Sequence, residues 1–570
     1  MANKNLFASA STPRSRVEVP VADTRNAAGG NAYEYSAKQK LAQIAATNTF
    51  NGTFYVDASA NLQIAKDAVA ELRNDPEFVA KVAVYCRDKA YMKDMPAYLC
   101  AVLAAWGEHK LFRQVFARVI DNGKMLRNFI QIGRSGAAGK KLNMSSGAIR
   151  HAIRDWFQSK PSEFIFRASI GNEPNMRDIL RMARPFPETA EKAALYAYLK
   201  GAEFDPKVGD YITRNKDGSV KYRCSFSQLP AIVQQYELFK KSHEGEIPKV
   251  DFRMLDSVLN KEEAKRLWAS QASNGAWQMT RMNLNNFAKY GVFEDASLVS
   301  TVAKRLADKE QIKKARAYPY QLLMAYNAAT SSPHPVREAL QDAMEAALDN
   351  VPGIEGQIYV CIDTSGSMSS AVTGYRPGAT SQVRCIDVAA LFGAAMLRKN
   401  KSAELLPFDT SVHKCKLNGR DTVMTNAKTL AGFGGGGTDC SCAIRELNAK
   451  NAKGKAIIFV SDNESWADRR NYLGTGLMSE WATFKQRNPD AKLICIDLTP
   501  SASAQAKNQN DILQVGGFGD QVFDVVASFI EHGGAKDHWT AVIDNIDLYA
   551  KPTYRKEVVE ADNDDEKVAE

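Results

Sequence analysis

Ile358-Tyr359-Val360-Cys361-Ile362-Asp363-Thr364-Ser365-Gly366-Ser367-Met368-Ser369 decides how the second part of this chain folds. An unbroken apolar run bounded by turn formers predicts a strand buried on both faces. The polar Asp-Thr-Ser-Gly-Ser that follows predicts a loop at the strand's C-terminal end. Ala456-Ile457-Ile458-Phe459-Val460 and Lys492-Leu493-Ile494-Cys495-Ile496 repeat the apolar run, and Glu404-Leu405-Leu406-Pro407-Phe408 offers a further strand. Helical periodicity lies between them, over residues 383–398, 440–449 and 476–488. Strands alternating with helices imply right-handed crossovers, hence a doubly wound α/β fold with a mainly parallel sheet. Sites in such folds gather at the C-terminal ends of the strands.

Three polar segments are predicted to meet at that edge. Besides Asp363 to Ser369, Ser461-Asp462-Asn463-Glu464-Ser465 closes a later strand, and Gly432-Phe433-Gly434-Gly435-Gly436-Gly437-Thr438-Asp439 runs into a helix. Together they offer the carboxylates of Asp363 and Asp462 and the hydroxyls of Ser365, Ser367 and Thr438. Hard oxygen donors carrying few charges suit Mg²⁺ or another divalent cation, which keeps several waters in an octahedral shell. Read as residues alone, the same positions also serve as turn and cap residues around an empty strand end. The segment from about 353 to 548 resembles a von Willebrand factor A (vWA) domain with its metal-ion-dependent adhesion site. That resemblance implies direct ligation by Asp363, Ser365 and Ser367, with Thr438 and Asp462 direct or through water. The chemistry so implied is binding. The loops carry no His, Cys or Lys placed as base or nucleophile, and the glycine run lacks the Lys-Ser/Thr pair of a P-loop. An enzyme is not expected.

The longer first part has a different texture. Between residues 61 and 72, Leu62, Ile64, Ala65, Ala68, Val69 and Leu72 recur at spacings of three and four, one apolar stripe on a helix. The pattern returns over 77–89, 97–106 (with Pro96 in the first turn), 111–120, 148–158, 176–182, 190–199, 229–239, 261–270, 298–307 and 336–348. Short amphipathic helices must bury their stripes against neighbours, so stacked pairs in a solenoid are one solution and an irregular helical globule is the other. The expected organisation is a flexible N-terminal arm over 1–40, a helical domain over 41–350, the vWA-like domain over 351–550 and a charged mobile tail over 551–570. The run Asn26 to Asn31 reads as flexible.

Charge divides the chain unequally. Residues 1–350 hold 50 Lys/Arg and 37 Asp/Glu (+13), whereas residues 351–570 hold 24 and 28 (−4). Residues 101–160 contain 11 basic residues against Glu108, Asp121 and Asp155. Such an excess suits a polyanionic partner, though a helical surface kept basic for solubility would look the same. The nine cysteines are scattered, mostly in apolar surroundings, and Cys440-Ser441-Cys442 has the wrong spacing for a zinc knuckle. With neither a signal-like N-terminus nor an apolar stretch of about 20 residues, a soluble cytoplasmic protein is expected.

Several helical segments resemble the TROVE domain of the Ro ribonucleoprotein family in a bacterial or phage-type form. They are residues 79–96 (Val-Ala-Lys-Val-Ala-Val-Tyr-Cys-Arg-Asp-Lys-Ala-Tyr-Met-Lys-Asp-Met-Pro), 150–156, 177–185, and 281–287 with 291–293. The order, helical region then vWA domain, is also that of the family. The resemblance implies a HEAT-like repeat ring closed by the vWA domain. It implies a basic surface for structured noncoding RNA, including Y RNA, and a hole for single-stranded ends of misfolded RNA. Candidate RNA contacts are Lys110, Arg113, Lys124, Arg127, Arg134, Lys140, Lys141, Arg150, His151, Arg154, Arg177 and Arg181. Asn283, Asn285 and Asn286 are candidates for the hole, with helix capping as the alternative. Where relatives carry a His before the basic helix, this chain has Met176. An exoribonuclease, or another protein offering an acidic group to the metal, would be a further partner; neither membrane nor DNA is expected. The rival reading is a metal-dependent protein-interaction adaptor whose helices are only a scaffold.

Overall fold

The computed structural model describes residues 19–550, apart from 146, 256, 316, 318, 376–382, 468–472, 518, 520 and 534–537. Its helical part is built in two layers. In the first, helices Ala37–Thr47, Pro76–Asp88, His109–Val119, Gly147–Ser159 and Met176–Ala183 pack successively side by side. Asp94–Trp106 and Gly123–Ser135 pack together in the second. Each helix buries its stripe on a neighbour close in sequence, the packing logic of a repeat stack. Local chemistry sets where the helices begin. Asp57, Asp75, Asn122, Asn175 and Thr189 each accept a backbone N–H from the first turn, and Pro76 occupies a position where no N–H is needed.

One element interrupts the helices. Glu203–Asp205, Asp210–Arg214 and Val220–Ser225 form a three-stranded antiparallel meander between helices Ala190–Leu199 and Ala231–Ser242. Its sequence signals are the Asp217-Gly218 turn and the alternation around Tyr222 and Cys224. The meander is fastened by Glu237, which is buried and accepts hydrogen bonds from the hydroxyls of Tyr198 (2.6 Å) and Tyr211 (2.9 Å).

The α/β domain has a five-stranded, wholly parallel sheet. Its order is Ile512–Gly516, Lys492–Asp497, Ala456–Ser461, Ile358–Asp363, Ala403–Phe408, with Ile358–Asp363 paired on both sides. The fold class is therefore a helical-repeat domain followed by a doubly wound vWA domain. The strand Ile512–Gly516 was not among the expected ones, because Gln514 breaks its apolar run.

Both ends of the helical stack rest on this domain. At the start, Ala37–Thr47 lies on strand Ile512–Gly516 at such close range that a Cβ on Gly516 would stand 3.0 Å from the Gln43 carbonyl oxygen. At the end, Pro319–Ala328 packs on Cys385–Lys399 and His334–Ala347 packs on Val423–Leu430. Helix Trp539–Asp544 returns to Pro76–Asp88, where Trp539 meets Tyr85 edge-on. The helices and the sheet domain thus close a ring of contacts.

The N-terminal arm departs from expectation. Residues 1–18 lie outside the described residues, but Asn31–Glu34 is a strand paired with Ser503–Ala504. Asn26 to Gly30 form a tight turn in which Asn26 Oδ1 accepts the Gly30 N–H at 2.7 Å. The reason is side-chain chemistry: Tyr33 and Tyr35 are buried, and Tyr35 donates to Asp497 at 2.6 Å. The charged tail from 551 lies outside the described residues. Among the described residues no helix is long and apolar enough to cross a membrane.

Gln43 holds the junction between the two parts. It is buried, donates to the Thr499 carbonyl (3.0 Å) and accepts the Ser501 N–H (3.2 Å). Gln43→Leu keeps the volume and orphans both backbone groups, so a loss of about 2–4 kcal/mol is expected, read as a lowered urea midpoint. An unchanged midpoint would show that the junction does not depend on these bonds.

Candidate metal centre and basic surface

The structure brings Asp363, Ser365, Ser367, Thr438 and Asp462 to one edge of the sheet, all of them buried. Asp363 ends the interior strand Ile358–Asp363, and its two oxygens are held separately: Oδ1 accepts the Ser365 N–H at 2.8 Å and Oδ2 accepts the Ser461 hydroxyl at 2.6 Å. The Ser365 and Ser367 hydroxyl oxygens are 3.2 Å apart, and Ser367 also reaches the Asp462 carboxylate. Asp462 Oδ1 is buried and has no hydrogen-bond partner among the described residues.

Electrostatics set the same requirement. Burial, then repulsion from Asp462, pushes the Asp363 carboxyl up to about 7, and burial raises Asp462 as well. Two adjacent buried carboxylates, one with an orphaned oxygen, fit a cation between them. Among the described residues there is no cluster of three His, Cys, Asp or Glu; the other oxygen donors beside the two carboxylates are the hydroxyls of Ser365 and Ser367.

The glycine run explains itself by close approach. Gly435 donates to the Thr364 carbonyl (2.9 Å) and Gly366 donates to the Gly436 carbonyl (3.0 Å), which zips the two loops together. Gly434 has φ +89°, and a Cβ there would run into the Thr364 carbonyl oxygen. His413 stacks on Phe433 and lies 3.2 Å from Asp409, whose carboxylate stands against Gly436. This pair braces the loop from outside.

Sequence reading missed three contributors. Ser461 orients Asp363 and was visible as the residue before Asp462. Glu464 is buried, accepts the Ala28 N–H at 3.0 Å and is pushed up to about 8, chiefly by burial. Tyr55 comes from the helical part, in a segment tied to the vWA domain by the Tyr375 N–H on the Gly52 carbonyl (2.7 Å). Its hydroxyl reaches Ser367 and faces Asp462, Glu464 and Asp363, with its pKa raised to about 12 mainly by burial. No local sequence signal marks Tyr55. All nine cysteines are free thiols, and burial pushes Cys385 up to about 12.

The basic candidates do not form one set. Lys110, Arg113, Arg150, His151, Arg154, Arg177 and Arg181 lie on first-layer helices, whereas Lys124, Arg127 and Arg134 lie on Gly123–Ser135 of the second, with Lys140 and Lys141 in the loop after it. Arg127, Arg154 and Arg113 are among those engaged within the protein. Arg127 is buried and donates to the Ala168 carbonyl (3.2 Å), Arg154 donates to the Ala183 carbonyl (2.8 Å), and Arg113 pairs with Asp155 (2.7 Å). Burial removes Arg127 from any surface role. Lys110, Arg134, Lys140, Lys141, His151, Arg177 and Arg181 are exposed and have no ion-pair partner among the described residues. Lys124 and Arg150 are half-buried, and Arg150 Nε lacks a hydrogen-bond partner among those residues. Met176 points into the core. Asn283 is buried at the joint between Trp277–Met282 and Leu284–Lys289, donating to the Met279 carbonyl and accepting from Asn286. Its role is structural, while Asn285 is exposed.

Comparison with known proteins agrees with this architecture. A family model described as the Ro60 vWA domain matches residues 357–530, and one described as the TROVE domain matches residues 244–341. The chain is 25% identical over 529 residues to the RNA-binding protein RO60 of Deinococcus radiodurans, covering 89% of this chain and 94% of that protein. It is 26% identical over 213 residues to the RNA-binding protein RO60 of Caenorhabditis elegans, covering 33% and 30%. The crystal structure of the Deinococcus radiodurans RO (RSR) protein superposes with a TM-score of 0.58 at 18% identity, covering 87% of this chain and all (100%) of that one. With a TROVE match followed by a Ro60-type vWA match, the chain is similar in sequence and in domain order to the Ro proteins.

Proposed function

We propose that this protein binds RNA and does so through its helical ring: structured, Y RNA-like noncoding RNA and misfolded RNA with single-stranded ends. The observation that carries the reading is the group of exposed, unpaired cations Lys110, Arg134, Lys140, Lys141, Arg177 and Arg181 on a domain whose relatives are named RNA-binding proteins. Cations without acidic neighbours keep their full attraction for phosphate, and phosphate contacts give affinity with little sequence preference. Arg113 and Arg154, already engaged within the protein, contribute less on this reading, and Arg127 nothing.

The vWA site is assigned to Mg²⁺, held by Asp363, Ser365, Ser367, Thr438 and Asp462. The ion would neutralise the two carboxylates and offer an open position to an acidic group of a protein partner, for which an exoribonuclease is one candidate. Ser461 and Ser367 orient the carboxylates, and Tyr55 sets the helical domain against the same face. The role so assigned is binding rather than catalysis, in the cytoplasm, where free thiols such as these persist.

Two measurements test these assignments. Binding of the full chain to a stem-loop RNA with a single-stranded tail should weaken by about 10³-fold or more between 50 and 200 mM salt, given roughly six phosphate contacts. Replacing Lys140 and Lys141 together by Ala should lower affinity alike for unrelated sequences and reduce the salt slope by about 1–2. Salt-insensitive binding, or none, would reject the RNA reading. For the metal, titration calorimetry should show one Mg²⁺ or Mn²⁺ site that Asp363→Ala removes or weakens by at least about 100-fold. Equal uptake by the variant would sink that assignment.

A further inference from the structure

Cations gather around an exposed ring on the meander. Tyr222 lies in strand Val220–Ser225 opposite Thr213 and is 46% exposed, with Val220 beside it 49% exposed. Lys200 Nζ, at the end of helix Ala190–Leu199, stands 5.6 Å from the ring centroid, and Lys221 Nζ stands 5.8 Å from it. Lys200 also senses Arg181: its ammonium is shifted down by partial burial, then by Lys221 and Arg181. Arg177 crosses the same corner, its Nη2 only 2.8 Å from where a Cβ on Gly201 would be.

These cations differ from the arginines of the meander in that no acidic partner holds them among the described residues. Arg214 and Arg223 of the same meander are spent on Asp205 (2.6 Å) and Asp210 (2.5 Å). Lys200, Lys221, Arg177 and Arg181 have no ion pair among the described residues. A cation-rich corner with an accessible aromatic face combines the two features that hold a single strand, phosphate attraction and a π-surface on which an unpaired base stacks. A duplex has no free base face to offer and would use the cations alone.

We propose that Tyr222 is a stacking platform for single-stranded RNA, with Lys200, Lys221, Arg181 and Arg177 holding the flanking phosphates. The site extends the RNA surface from the basic first-layer helices onto the meander, and it rests on the RNA-binding reading above. Its contribution is selectivity for unpaired nucleotides rather than for sequence, since every base has a face to stack.

The test uses the full chain and two fluorescent probes, a single-stranded oligouridylate of about 12 nucleotides and a blunt RNA duplex. Tyr222→Ala should weaken oligouridylate binding by about 5- to 100-fold, while duplex binding changes by less than about twofold. Tyr222→Trp, which restores a π-face, should bind the single strand within about threefold of the parent. Independently of any variant, 4-thiouridine in the oligonucleotide should cross-link to the peptide containing residues 220–225. Because the ring is half in solvent, the melting temperature of Tyr222→Ala should be unchanged; if it falls, the cross-link and the Trp variant decide. If the parent binds RNA and Tyr222→Ala binds the single strand equally well, or loses the duplex to the same degree, this site is wrong and the wider reading stands. Failure of the parent to bind either probe would overturn both.

Discussion

A stack of amphipathic helices buries every apolar stripe except those at its two ends, and here the same α/β domain covers both. Helix Ala37–Thr47 lays its apolar face on strand Ile512–Gly516, while Pro319–Ala328 and His334–Ala347 lay theirs on Cys385–Lys399 and Val423–Leu430. Closure follows from that double burial. A single hydrophobic cluster accordingly runs from Leu41 through the helices to Val515 and Ile543. The vWA domain is thus part of the ring's structure as well as a module with a site of its own.

Closure also fixes what faces the candidate metal site. The segments that join the helical part to the vWA domain carry Tyr55 to Ser367 and Ala28 to Glu464. A tyrosine and a backbone amide from the first 60 residues stand over the edge that carries Asp363 and Asp462. Whatever reaches that edge must fit between the loop Gly432 to Asp439, the half-exposed Trp466 ring against Gly437 and the Tyr55 hydroxyl.

The basic surface obeys a different constraint. A guanidinium is suited to phosphate only while it is not already satisfied, and proximity in sequence says nothing about this. Arg127 and Arg134 lie on one helix, yet the first is buried against the Ala168 carbonyl and the second is exposed. Arg150 and Arg154 share a helix too, and among the described residues Arg154 alone of the two is fastened to a neighbouring carbonyl. Lys200 and Lys221, by contrast, come from elements either side of a chain reversal and meet only because the meander folds back over helix Ala190–Leu199.

By itself the sequence determined what repeats locally. Apolar spacings of three and four marked most of the long helices, unbroken apolar runs marked the buried strands, and Asp363-Thr364-Ser365-Gly366-Ser367 with its partner loops marked the site, because oxygen donors at strand ends are contiguous in the chain. Periodicity could not show that residues 19–36 dock rather than wander, since a turn such as Asn26 to Gly30 is decided by a distant surface that buries Tyr33 and Tyr35. Nor could it reveal Tyr55 at Ser367, the layer on which each arginine falls, or the cations around Tyr222. Those depend on contacts between residues far apart along the chain, and only packing in three dimensions chooses which of them are made.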